Sequence, residues 1–206
     1  MAQIFECLKD GSLLDKWGNN NGTLTAGTGG FKKSERGQAM QFDGSATYVD
    51  CGNSSDFNIS RITVSFWAKR VNDTGGFEPI VSKWLGASND REWLIGIDNV
   101  DEWYWQTSQD GVNSVNLSSG VTSTLNEWTY IVGTFDGSTM KIYVNSDEKN
   151  STSQTSFLNG SADIEIGSSN AGSVDFDGSI SKVRIFNYAL TPTQIRQMYL
   201  MEGGRL

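Results

Sequence analysis

Residues 128–145 read WTYIVGTFDGSTMKIYVN. Two runs rich in β-branched and aromatic residues flank Asp136-Gly137-Ser138, where Asp-Gly favours a sharp reversal. The stretch predicts a β-hairpin, the strongest short-range signal in the chain. Working outward, the same grammar recurs. Residues 62–69 (ITVSFWAK) alternate, with Ile62, Val64, Phe66 and Ala68 on one face and Thr63, Ser65, Trp67 and Lys69 on the other. Residues 93–97 (WLIGI) and 102–107 (EWYWQT) predict a second hairpin around residues 98–101, and residues 163–167 and 180–187 two more strands. Short strands spaced by Gly, Asn, Asp and Ser turns are the pattern of an all-β, antiparallel two-sheet sandwich. One short helix is expected near the end: Thr191 suits the N-cap, Pro192 the first helical position, and Ile195, Met198 and Tyr199 recur at helical spacing. It spans about two turns and needs the sandwich to pack on. No linker or repeat interrupts the 206 residues, which read as a single domain, 1–206.

Composition narrows the function. The formal charge is −8 and the 16 Lys and Arg residues are scattered, so neither a nucleic-acid stripe nor attraction to an anionic membrane is expected. No histidine is present, which removes His-based triads, His-ligated zinc and a His general base. Cys7 and Cys51 read as semi-buried thiols, with a bridge between them left open. There is no transmembrane run, and the start MAQIFECLKDGS lacks the basic and apolar regions of a secretory signal.

Motifs spread along the chain resemble the laminin-G branch of the concanavalin A-like family: DKWGNNNGT at 15–23, AMQFDG at 39–44 with Tyr48-Val49, ITVSFWAK at 62–69, IVSK at 80–83, EWTYIVGTFDG at 127–137 and GSISKVRIFNYAL at 178–190. The resemblance implies a jelly roll of about twelve to fourteen strands, with Trp67 and Trp128 as ring fillers between the sheets. Its usual roles are carbohydrate, protein or cell-surface recognition. Its rim calcium site resembles loop carbonyls near the N-terminal segment and the FDG turn, plus a strand Asp. Here that strand position is Ser181, which weakens the site; Asp15, Asp43, Asp175 and Asp177 are the carboxylates that could compensate for Ca2+.

Some relatives cleave β-glucans through a strand motif of paired acids, which for retention stand roughly 5–5.5 Å apart. Asp163 and Glu165 are two apart on a predicted strand, but Ser161 stands where the first Glu would be. No catalytic residue is therefore assigned; a glucanase-type hydrolase is the rival reading. Trp103 and Trp105 share a face and read as core, with Tyr104 opposite. The candidate ligand site is a sugar-stacking platform on the concave sheet: Trp84, Trp93 and Tyr104, helped by Asp90 and Arg91 in a polar loop. The expectation is a non-catalytic recognition or assembly module for a glycan or protein surface, at an extracellular or virion surface. A bacteriophage capsid decoration or fibre protein, bound to other virion subunits, fits a surface-type fold without a signal. A purely structural virion role is the remaining alternative.

Overall fold

In the computed structural model, residues 2–25, 27–169 and 174–204 are described. Alternation dictates two stacked sheets, every pairing antiparallel, as expected for the concanavalin A-like jelly roll. The eight-stranded sheet runs β13 (Asp147–Ser153), β12 (Thr139–Val144), β11 (Thr129–Phe135), β6 (Ile62–Arg70), β17 (Asp177–Phe186), β4 (Gly37–Asp43) and β3 (Gly30–Ser34). Strand β1 (Gln3–Cys7) pairs with the second half of β17. The seven-stranded sheet runs β10 (Ser114–Thr122), β9 (Glu102–Ser108), β8 (Asp90–Ile97), β7 (Glu78–Leu85), β14 (Ile164–Ile166), β5 (Val49–Asp50) and β2 (Thr23–Leu24). A two-stranded ribbon, β15 (Ser168–Ser169) with β16 (Val174–Asp175), completes the described strands. Seventeen strands are described, more than the twelve to fourteen expected, and four of them (β2, β5, β15 and β16) are only two residues long.

The hairpin at residues 128–145 forms as β11 and β12, in register from Ile131 opposite Val144 to Phe135 opposite Met140. Asp136 closes its turn by accepting from the backbone N–H of Ser138 and Thr139, both at 2.8 Å. On β6, Ile62, Val64, Phe66 and Ala68 all enter the main core between the sheets, as the alternation requires. Trp93, Trp103 and Trp105 meet them from the other sheet, with the Trp93 and Trp105 rings 6.1 Å apart. Cys7 and Cys51 lie in this same core as free, buried thiols.

Two of the expected ring fillers sit elsewhere. Trp67 lies on the outer face of the eight-stranded sheet, and Trp128 is half-buried beside it. Period-two alternation sends Trp67 opposite to Phe66, so it cannot fill the gap between the sheets. Instead it founds a second small core with Tyr130, Val132, Tyr143, Leu190, Ile195 and Tyr199. The C-terminal helix α1 (Pro192–Met201) forms the lid of that core. It is ten residues long, nearly a turn longer than expected, and Thr191 and Gln194 form a complete capping box at its start. Trp67 stacks on Tyr199 at 5.6 Å, Arg36 lies over its ring at 3.6 Å, and its indole N–H donates to Glu202 at 2.7 Å. One outer face of the sandwich is thus partly closed by the helix.

Candidate binding groove on the open sheet

The outer face of the seven-stranded sheet is where the candidate ligand residues are tested. Register places Gln106, Leu94, Ser82, Glu165 and Asp50 side by side across β9, β8, β7, β14 and β5. After β14 the chain turns at Gly167, which has a φ of +84°. A Cβ there would strike the Phe42 ring at 2.2 Å, so glycine is required for the approach as well as the turn. The turn delivers the ribbon β15–β16 across β7, where the Ser82 hydroxyl donates to the Ser168 carbonyl at 2.9 Å.

Between ribbon and sheet lies a cavity of about 210 Å³ lined by Phe77, Pro79, Trp84, Leu94, Tyr104, Gln106, Ser169 and Val174. Phe77 is 49% exposed and meets Tyr104 edge-on, ring centroids 5.7 Å apart. Arg91 stands 5.9 Å from the Trp84 ring. Burial, seconded by the charge of Asp98, pushes the Tyr104 phenol well above its ordinary range, so it stays a neutral donor. Aromatic faces with a few directed polar groups form the kind of cleft that takes small polar rings.

Of the five expected ligand residues, the structure brings Trp84 and Tyr104 together in the groove and sets Arg91 against Trp84. The other two are corrected. Trp93 is a core residue, 1% exposed: its register partner Lys83 also points inward, so its ring faces Trp105 rather than the groove. Asp90 holds the loop before β14, accepting from the Ser161 backbone N–H at 2.8 Å and hydroxyl at 2.7 Å. Residues 90–92 are also the start of β8 rather than a loop. There the register slips between Lys83 and Trp84, and Glu92 is the extra residue. That bulge turns Glu92 inward into a fully buried ion pair with Lys83. Gly160 clamps the pair, its N–H donating to Glu92 at 2.8 Å and its carbonyl accepting from Lys83 at 3.2 Å. Burial raises the Glu92 carboxyl to about 7 against the pull of Lys83.

Phe77 and Gln106 were not anticipated. The Gly75-Gly76 pair before Phe77 is the one signal that the ring sits at a chain reversal. Gln106 follows from alternation with Tyr104.

The calcium carboxylates do not assemble into a ligand set. Among the described residues no three Asp, Glu, Cys or His side chains come together as metal ligands. Asp43 and Asp177 are cross-strand partners. Burial works against the Asp43 charge, yet donors from Thr28, Ala46 and Thr47 outweigh it and hold its carboxyl far below the usual range. Asp177 accepts from Asn72 at 2.7 Å. Asp15 organises its own loop, accepting from the N–H groups of Glu6, Trp17 and Asn20. Ser181, at the position of the family Asp, donates to the Gln38 carbonyl at 3.2 Å. A hydroxyl that consumes a carbonyl is the opposite of a ligand set, and the residues present do not fit a calcium ion.

The hydrolase pair changes partners. Asp163 lies just before β14, while Glu165 faces Asp50 across the ladder. Burial and the charge of Asp50 raise the Asp163 carboxyl.

A family model described as the concanavalin A-like lectin/glucanases superfamily matches residues 43–196. The chain belongs to that superfamily. No curated protein sequence matches it. Among solved structures it is similar to domain 4 of AbnA, a GH43 extracellular arabinanase from Geobacillus stearothermophilus, in complex with arabinotriose: TM-score 0.77 at 20% identity, over 96% of this chain and 98% of that one. It is also similar to the binding domain of Paraclostridial Mosquitocidal Protein 1 (0.77, 16%, over 96% and 51%) and to that of botulinum neurotoxin serotype G (0.75, 18%, over 98% and 51%). This member of the superfamily spans about half the length of those two toxin domains. No helix among its described residues is long and apolar enough to cross a membrane.

Proposed function

We propose that this chain is a non-catalytic glycan-recognition module whose site is the groove of Trp84, Phe77, Tyr104 and Gln106. One observation carries the reading. An aromatic-lined cavity with polar groups at its edge opens on the sheet face that α1 leaves free. Sugar rings offer apolar C–H faces to such rings and hydroxyls to Gln106, Ser169 and Arg91. The similar arabinanase domain, in complex with arabinotriose, names the first probe. The module would act on glycans displayed at an extracellular or virion surface, alone or docked on other virion subunits; co-purification with assembled particles supports the virion half, and secretion without particles overturns it.

The test is calorimetric titration with arabino-, gluco- and galacto-oligosaccharides, alongside an assay for new reducing ends. Binding that falls about tenfold in Trp84→Ala, worth about 1.4 kcal/mol, with no new reducing ends, is the expected outcome. Binding indifferent to Trp84→Ala and Phe77→Ala overturns the site. Hydrolysis lost in Glu165→Gln overturns the non-catalytic reading.

A further inference from the structure

A second groove of about 430 Å³ lies on the opposite side of the sandwich, between the β1–β17 pair and the C-terminal end of α1. Its walls are unlike. One side holds Phe186, Met198 and Met201, the last 86% exposed. The other holds Trp17, 62% exposed, with Lys9 and Lys182. Such an exposed indole is ordinarily free to swing, but Trp17 is held. Its ring N–H donates to Glu6 at 3.2 Å and its backbone N–H to Asp15 at 3.0 Å. The flat face is therefore presented to the groove already oriented, which lowers the ordering cost of binding.

Charge in the groove is also allocated unevenly. Both carboxylates that line it, Glu6 and Glu202, are engaged by Arg184, Glu6 at 2.6 Å. Lys9 takes the remaining reach of Glu6 at 3.4 Å. Lys182 is left with no carboxylate in ion-pair range among the described residues. It sits in the β17 bulge with a φ of +56°, a conformation that costs a non-glycine residue energy and re-aims its side chain. Burial first, then the charges of Arg184 and Arg36, depress its ammonium, with Asp10 pulling the other way and Lys9 adding to the repulsion. An unpaired, half-desolvated cation beside a fixed indole calls for an anion with a flat body.

We infer that this groove is a binding site for a carboxylated sugar of the uronic-acid class, its ring lying on Trp17 and its carboxylate taken by Lys182. Two features favour an acidic glycan over an acidic peptide. The floor presents side chains of β1 and β17, strands paired to each other, so a peptide finds little free backbone to extend. A single fixed indole suits one ring. The site is distinct from the Trp84 groove, and neither depends on the other.

The experiment titrates the intact chain with tri-galacturonate and with neutral arabinotriose, following indole fluorescence and calorimetry at two salt concentrations. Expected are millimolar or tighter binding of tri-galacturonate that weakens with salt, a loss of at least tenfold in Lys182→Gln and in Trp17→Ala, retention in Lys182→Arg, and no change in Trp84→Ala. Because Trp17 is exposed, its alanine variant keeps the fold even where a change at Lys182 disturbs the bulge. No binding of tri-galacturonate, equal loss in Trp84→Ala, or tighter binding of an oligo-glutamate peptide overturns the proposal.

Discussion

Replacing the Lys83–Glu92 pair by two methionines changes how stability depends on pH, and the size of the change follows from the burial. Both side chains are fully enclosed, and Glu92 is raised by that enclosure from 4.5 to about 7. A carboxyl raised on folding binds its proton more tightly in the folded than in the unfolded chain. Its contribution is complete below pH 4.5 and is lost as pH climbs through 7. At 1.36 kcal/mol per unit, the swing across this window is about 3 kcal/mol. Carboxyls held low, such as Glu6, Asp43 and Asp136, lose stability in the opposite direction, as pH falls. They are common to wild type and double variant, so they cancel in the difference. The assay is urea unfolding of wild type and Lys83→Met/Glu92→Met at half-unit steps from pH 4.5 to 8.5. The stability of wild type minus that of the double variant should fall by about 3 kcal/mol over this range. Lys83→Met alone removes the pull that lowers Glu92, so its buried carboxyl must take up a proton on folding at pH 8, and the variant should cost about 3–5 kcal/mol there. A difference curve that is flat, or that rises with pH, refutes the reasoning.

Trp67→Ala removes the shared support of α1: the Tyr199 stack, the Arg36 contact and the hydrogen bond to Glu202. A cost of about 3–5 kcal/mol is expected from chemical unfolding, and a loss below about 1 kcal/mol would show that the second core does not hold the helix. Cys51 is raised well above the ordinary thiol range by its hydrogen bond with Cys7, then by burial. Both thiols should therefore resist an aromatic disulfide reagent in the native protein and react together on unfolding; rapid labelling of either in buffer at pH 8 contradicts their enclosure.

Much of the architecture was legible because alternation is local. Ile62 to Ala68 and the 128–145 hairpin announce their inward faces residue by residue, and Thr191 with Pro192 announces the helix start. Other features depend on partners distant in sequence. Trp67 looked like core because it is large; only Ile195 and Tyr199, more than 120 positions later, decide which core it joins. Asp90 and Arg91 looked like a polar loop because charge usually marks solvent, and nothing in the sequence set Glu92 beside them apart. The bulge opposite Lys83 reverses that meaning for Glu92. Trp93 was drawn into the candidate site by its neighbours in sequence, whereas the groove is assembled by β7, β8, β9 and a ribbon contributed from beyond β14. Trp84 and Tyr104 reach the groove because each stands opposite to core residues on its own strand.

The outermost strand of the larger sheet, β13, spells Asp-Glu-Lys-Asn-Ser-Thr-Ser, and its first five residues are all exposed. An approaching copy that tried to extend the hydrogen-bond ladder there would have to strip water from Asp147, Glu148 and Lys149 without replacing it. Crowding alone would therefore not recruit this edge into a continuous intermolecular sheet, because the charged row of β13 keeps its water.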